Sequence, residues 1–335
     1  ELLDASKLIN HSQISTRFSE ITQAIIYNHY LRVDHEGTST DFEILEIEFY
    51  LYMDEVHSDP FCHAHDDQRI SAQWYFHRAP RNTASTIRPT HSEAGGYRGG
   101  TRKGLDLTFG TPITSQFFPV PEVSLRLPQI RGGILLRTMK TVDGSGTVIS
   151  GPSLLVDHIL KITKSRNVSE LVNVKLAGRI SAIPPADAQS TALYLIPYSR
   201  GKSPLPIHRS PRVGLDLAHS SVVPRVTDPR VQYLSKLYRY FIRPELLKSN
   251  GRCHTLIGLL LEQCPAGQNQ NPSLDCPILA ARLMEMTSLQ PTTLQRYIND
   301  FTQGFTKRSL AEYVGSAGKG ASSNPQKFMR LMGVL

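Results

Sequence analysis

The spacing of apolar residues changes character along the chain. Ile14, Phe18, Ile21 and Ile25 recur every three or four positions, which predicts one buried face of a helix. The next stretch, YNHYLRVDHEGTSTDFEILEIEFYLYM, alternates as strands do and predicts a hairpin about His35-Glu36-Gly37. WYFH at 74–77 is a short strand. Residues 78–104 form a loop rich in Gly, Arg, Ser and Thr that closes on GGYRGGTRKG. LDLTF at 105–109 and GILLRTM at 133–139 read as buried strands. Gly151-Pro152-Ser153 opens a helix whose apolar face comes from SLLVDHILKI. ALYLIP at 192–197 and KLYRYFIRP at 236–244 add strands, and PRVGLDLA at 211–218 is a short apolar run.

Beyond Ser249 the pattern turns helical. CHTLIGLLLEQC, CPILAARLMEMTSL, TTLQRYINDFTQGF and KRSLAEYVG read as successive helices with polar turns. The expected class is α+β: a mainly antiparallel sheet with helices, followed by a helical C-terminal region. The expected division is residues 1–248, carrying a basic insertion at 78–104, and residues 249–335.

Composition narrows the picture. Hydrophobic residues make up 40% of 335, enough for a packed core and against bulk disorder. No apolar run approaches the roughly 20 residues that span a bilayer, so no membrane partner is expected. The start shows no signal-peptide pattern and begins with Glu rather than Met. Four scattered cysteines, Cys62, Cys253, Cys264 and Cys276, contain no C-x-x-C pair and point to a reducing, intracellular setting rather than a disulfide scaffold or zinc knuckle. The net charge of +8 is local: residues 69–140 hold eleven Lys and Arg against Glu93, Asp106 and Glu122, and 11 − 3 = +8. Such a confined excess suits either a polyanion-binding surface or a solvated basic loop.

Several residues are candidates for chemistry. Alternation in EIEFY puts Glu46, Glu48 and Tyr50 on one strand face, opposite Ile47, Phe49 and Leu51. Glu48 is then either a general base toward water or an exposed strand acid. Arg137, inside an apolar strand, calls for a carboxylate partner such as Glu48, or else reaches solvent. Tyr75 and His77 share one face of WYFH, where flat rings suit a base-sized slot, or simply a packed core. The cluster His57, Asp59, Cys62, His63 and His65 has metal-capable side chains, but its spacing matches no ligand set and Asp59-Pro60 reads more naturally as a turn.

In order, these segments resemble the alkyladenine (methylpurine) DNA glycosylase family, over roughly residues 18–245. The likeness runs through ITQAIIYNHYLRVDHEG and then EIEFYLYMDEVHS, with its E-x-E-x-Y followed by an H-S pair. WYFH, LDLTFG, RGGILLRTM, ISGPSLLVDHILKI, ALYLIP, SPRVGLDLA and KLYRYFIRP follow in family order. The resemblance implies a curved antiparallel sheet with surrounding helices, while the helical region after Ser249 has no counterpart in the family core and is a C-terminal extension. It further implies a monofunctional enzyme of DNA base excision repair, nuclear or otherwise intracellular and monomeric. Such an enzyme flips a modified base out of duplex DNA and hydrolyses its N-glycosidic bond, with no metal or other cofactor. By position, Glu48 would activate the water and Arg137 would hold that carboxylate. Tyr50, His57, Tyr75, His77 and Asp106 would line the base pocket. Tyr97, Arg98, Arg102 and Lys103 would meet the DNA.

The sequence departs from the family at the pocket itself. His77 stands where the family has an aromatic Tyr, and Asp106 where it has Asn. An ionised Asp106 only accepts hydrogen bonds and would favour a base offering an N–H. Two alternatives follow from the same residues. One is a protein on this fold that binds the modified base without cleaving it. The other is a metal-dependent nuclease using His57, His63, His65 and Asp59.

Overall fold

The structure, a computed structural model, describes residues 1–79, 96–112, 129–198, 205–247, 251–263 and 277–335. The chain forms two compact units: Glu1–His57 with Cys62–Pro204, and Ser58–Phe61 with Leu205–Leu335. The class is α+β with a curled antiparallel sheet.

In the first unit, α1 (His11–Asn28) begins at Asn10, whose side chain accepts from the Gln13 amide. Its buried stripe contains Ile14, Phe18, Ile21 and Ile25, the residues that the spacing singled out. Strands β1 (His29–His35) and β2 (Thr38–Met53) form the hairpin. Glu36 and Gly37 both take left-handed φ, 48° and 80°, the geometry of a two-residue turn that matches the strand twist. A two-residue bridge, β3 (His57–Ser58), and a single 3-10 turn at Asp66–Gln68 lead to β4 (Trp74–Phe76). Then come β5 (Leu105–Thr108), β6 (Ile130–Thr141), β7 (Val148–Ser150), α2 (Pro152–Ile162), α3 (Val168–Glu170) and β8 (Thr191–Pro197). The sheet order is β4-β5-β6-β2-β1-β8, antiparallel throughout, with β7 on β6.

One face of this sheet is apolar and carries α1. Phe18 stacks on Phe49 with ring centroids 4.1 Å apart and meets Phe109 edge-on at 6.0 Å. Trp74 belongs to the buried apolar set and satisfies its indole N–H on the Leu193 carbonyl at 2.7 Å. The other face carries the polar residues described below.

The second unit contains β9 (His208–Ser210), α4 (Pro229–Leu234), β10 (Arg239–Phe241), α5 (Arg252–Gln263), α6 (Pro277–Thr287), α7 (Pro291–Lys307) and α8 (Pro325–Val334). The division expected near residue 248 falls instead at 204/205. Leu217, Val231 and Leu234 belong to one buried cluster with Leu256, Ile257, Leu294, Phe328 and Met329, so α4 and the loop before it share a core with the later helices. A methyl at Gly304 would collide with the Arg330 carbonyl, and one at Gly333 with the Phe301 carbonyl, so paired glycines let α7 and α8 approach closely. KRSLAEYVG, expected as a helix, is only a 3-10 turn at Ala311–Tyr313. Arg308 in left-handed φ ends α7 before it, and Gly315 turns the chain after it. The last helix, α8, lies beyond the helices that the sequence pattern predicts; Asn324 caps it, Pro325 opens it and Phe328, Met329, Leu331 and Met332 form its buried face. Among the described residues, no helix is long and apolar enough to cross a membrane.

Candidate active site

The polar face of the sheet is organised by strand register. In antiparallel ladders, directly paired residues project to the same side. Tyr75 pairs with Asp106, Asp106 with Leu135, and Leu135 with Glu48, so these four form a row across β4, β5, β6 and β2. Two positions along, Tyr50 pairs with Gly133 and Gly133 with Thr108 in a parallel row.

Glu48 is completely buried. The Tyr50 hydroxyl donates to its Oε2 at 2.8 Å, and Arg137 Nε stands 3.4 Å from its Oε1. Arg137 also donates to Glu46 Oε1 at 2.9 Å, and Thr138 donates its hydroxyl to the other oxygen of Glu46. The result is a buried Glu46–Arg137–Glu48 triad. Irregularity in the ladder makes it possible. Register shifts on either side of Glu46 leave Leu45 unpaired on β2 and Arg137 unpaired on β6. A bulged residue is re-aimed relative to its neighbours, and here the bulge brings Arg137 to both acids. Burial opposes the guanidinium charge, but the fields of Glu48 and Glu46 outweigh it and the pKa of Arg137 moves up. Neither acid is exposed, so the exposed-strand-acid reading of Glu48 does not hold.

The second half of the site surrounds Asp106, which is also buried. Its Oδ1 lies 2.8 Å from His77 Nε2, and its Oδ2 accepts from the Gln68 amide at 3.1 Å. A methyl at Gly133 would strike both Asp106 Oδ2 and Gln68 Nε2, and one at Gly104 would strike the His77 ring, so two glycines leave room for this group. His65 stacks on Tyr75 at 5.5 Å, and His63 meets His77 edge-on at 4.4 Å. The surrounding protein and the neighbouring His77 hold the His63 imidazole below the usual range, even though part of the residue reaches solvent. Burial and the nearby Asp106 carboxylate push the Tyr75 phenol up.

The structure therefore brings Glu48, Arg137, Tyr50, Tyr75, His77 and Asp106 to one sheet face. His57 lies elsewhere. It is fully buried, its Nδ1 is 2.8 Å from the Leu51 carbonyl, and its ring sits by Phe18 and His11 on the α1 side. Asp59 belongs to the second unit, where Arg212 binds it at 2.5 and 3.2 Å and neither side chain has any exposure. Among the described residues, no three or more His, Cys, Asp or Glu come together as a metal-holding group. Glu46, His63 and His65, which the sequence offers for other roles, also join the polar face, and Gln68 is a member that the sequence does not single out. Gln68 carries only one local signal, its place three residues after the helix cap His65.

The basic residues of the insertion flank this face. The Arg78 guanidinium lies 4.4 Å above the Tyr97 ring, and Arg98 donates to the Arg78 carbonyl at 2.8 Å. Arg102 is exposed, and Lys103 pairs with Asp157 at 3.0 Å. Arg98 and Lys103 help line a cavity of about 340 Å³ together with Arg166 and Asn167. Residues 80–95 of the insertion, with Glu93, lie outside the described residues, as do Glu122, Cys264 and Cys276.

No family model matches the chain. It is similar to an uncharacterized protein of Acanthamoeba polyphaga mimivirus, 25% identical over 213 residues, which covers 63% of this chain and 81% of that protein.

Proposed function

We propose that this protein is a monofunctional DNA glycosylase acting on a modified base. One observation carries the reading: a buried carboxylate, Glu48, is held by Arg137 and Tyr50 on the same sheet face as the ring-lined group of Tyr75, His77 and Asp106. The order of motifs resembling the alkyladenine DNA glycosylases agrees with it.

In this reaction Glu48 takes a proton from water while the water oxygen bonds to the anomeric carbon of the sugar. The N-glycosidic bond breaks and its electron pair leaves with the base, so the products are a free base and an abasic site. Positive charge develops on the sugar as the base departs, and a carboxylate close by stabilises it. Arg137 places a positive charge beside both acids, 2.9 Å from Glu46 and 3.4 Å from Glu48. The aromatic and imidazole rings offset part of the few kcal/mol that unstacking a base costs. Phosphate contacts from Arg98, Arg102 and Lys103 would position the duplex without reading its sequence.

A second reading, a protein that binds the modified base and does not cleave it, has one observation in its favour: Glu48 has no exposure to solvent. The nuclease reading has less support, because Asp59 is committed to Arg212 and His57 faces α1. The test is a panel of duplexes, each with one modified base, incubated with the protein and treated with alkali. Strand breaks at one modification support the glycosylase. Tight binding without breaks moves the assignment to the base-binding protein.

A further inference from the structure

The turn at residues 65–68 lies against the Asp106 half of the site, and the side chains of Asp66, Asp67 and Gln68 take partners that a nucleotide would want. Gln68 is buried, and its amide donates to Asp106 Oδ2. Together with Asp106 it fills the space over Gly133, the residue paired with Tyr50. The other Asp106 oxygen is already at His77, so Oδ2 is the one Gln68 occupies. The two preceding residues are exposed acids on arginines of the basic segment. Asp66 binds Arg131 at 3.0 Å and Arg69 at 3.2 Å, and Asp67 binds Arg78 at 2.9 Å. Asp66 and Asp67 are 52% and 40% exposed, so water and salt reach these pairs and a competing anion can replace them.

We propose that this turn is an internal stand-in for the nucleotide. The carboxylates of Asp66 and Asp67 occupy the arginines that backbone phosphates would take. The amide of Gln68 occupies the position of the base. The inference rests on the glycosylase or base-binding reading and adds a substrate class to it. Gln68 offers Asp106 an N–H donor, so the base that replaces it is one that presents an N–H donor at that edge, such as the amino group of an adenine or cytosine derivative. Ala64, in left-handed φ at 48°, holds strain at the start of the turn, where a displaced segment would pivot.

The test uses the full chain and three duplexes identical except at one unpaired position, which carries adenine, unsubstituted purine or a tetrahydrofuran abasic analogue. Gln68→Ala is expected to tighten binding of the adenine duplex about tenfold. The purine duplex, lacking the amino group, should gain less, and the abasic duplex should not change. An equal change on all three would show that the amide does not occupy the base position. An equal gain for adenine and purine would show that Asp106 does not read a donor. Either result overturns this inference and leaves the proposed function standing. Failure of wild type and variant to bind any of the three better than unmodified duplex would overturn this inference, and the panel of modified-base duplexes decides the proposed function separately. Asp66→Asn with Asp67→Asn, at exposed positions that leave Gln68 in place, guards against a misfolded Gln68→Ala. This pair should tighten all three duplexes alike, and unchanged or weaker binding contradicts the phosphate-mimic half of the proposal.

Discussion

Glu48 and Asp106 are both paired with Leu135, one from either side, so their carboxyl groups rise from the same face of the sheet two strands apart. With neighbouring strands ~4.8 Å apart, the backbones of the two acids are separated by about 10 Å. That spacing divides the labour proposed above. In the proposed reaction, one carboxylate would act at the sugar and the other at the edge of the base. Leu135 between them supplies an apolar floor.

The triad of Glu46, Arg137 and Glu48 makes a stability prediction independent of function. Removing one partner of a buried ion pair leaves the other charge without compensation and costs about 3–5 kcal/mol. Arg137→Met is expected to lose stability on that scale in urea unfolding, because two buried acids lose their cation together. A loss below about 1 kcal/mol would mean that Arg137 is not the buried partner of both acids.

The glycine pair between α7 and α8 is a second structural test. Gly304→Ala and Gly333→Ala each place a methyl against a backbone carbonyl of the facing helix, which has no side-chain freedom to yield. Each substitution should destabilise the protein by about 1–3 kcal/mol, as overpacking does elsewhere. Unchanged thermal unfolding of both variants would show that the helices do not approach as described.

The thiols provide a third. Cys253 is buried, and burial raises its pKa to about 11 from an ordinary 9.0. The thiol is therefore protonated in the folded state at pH values where the unfolded chain begins to ionise. The stability it contributes is present in full below pH 9.0 and is lost as pH rises from there toward about 11. Cys253→Ala should flatten that part of the pH profile. In peptide-mapped alkylation of the native protein near neutral pH, the half-buried Cys62 should label well before Cys253. The reverse order would contradict the burial.

Much of the element pattern was legible in the sequence because it depends on local spacing. The stripe on α1, the hairpin at Glu36-Gly37 and the start of α2 at Pro152 all follow from short-range signals. Arg137 was legible as a buried cation in need of an acid, and Glu48 as its neighbour. The rest depends on what the chain brings together over long range. The register shifts that let one arginine hold two glutamates have no local signature. The capture of Asp106 by Gln68 and His77, 38 and 29 residues earlier in the chain, has none either. His57 and Asp59 were grouped with His63 and His65 by sequence proximity. The fold instead turns His57 toward Phe18 and commits Asp59 to an arginine 153 residues away. The boundary at 204/205 was hidden for the same reason, since Leu217 and Val231 reveal the helices they pack on only through the shared core.

The central claim is that Glu48 activates water for cleavage of a glycosidic bond. The most direct measurement compares wild type and Glu48→Gln on the modified duplex that wild type cleaves, by alkali-revealed strand breaks under single-turnover conditions, with binding to the same duplex measured alongside. The substitution keeps the size of the side chain and an oxygen that can still accept from Tyr50. The account predicts a loss of cleavage of at least about a hundredfold, the scale of general base catalysis, with binding retained. Cleavage by Glu48→Gln at the wild-type rate would contradict it.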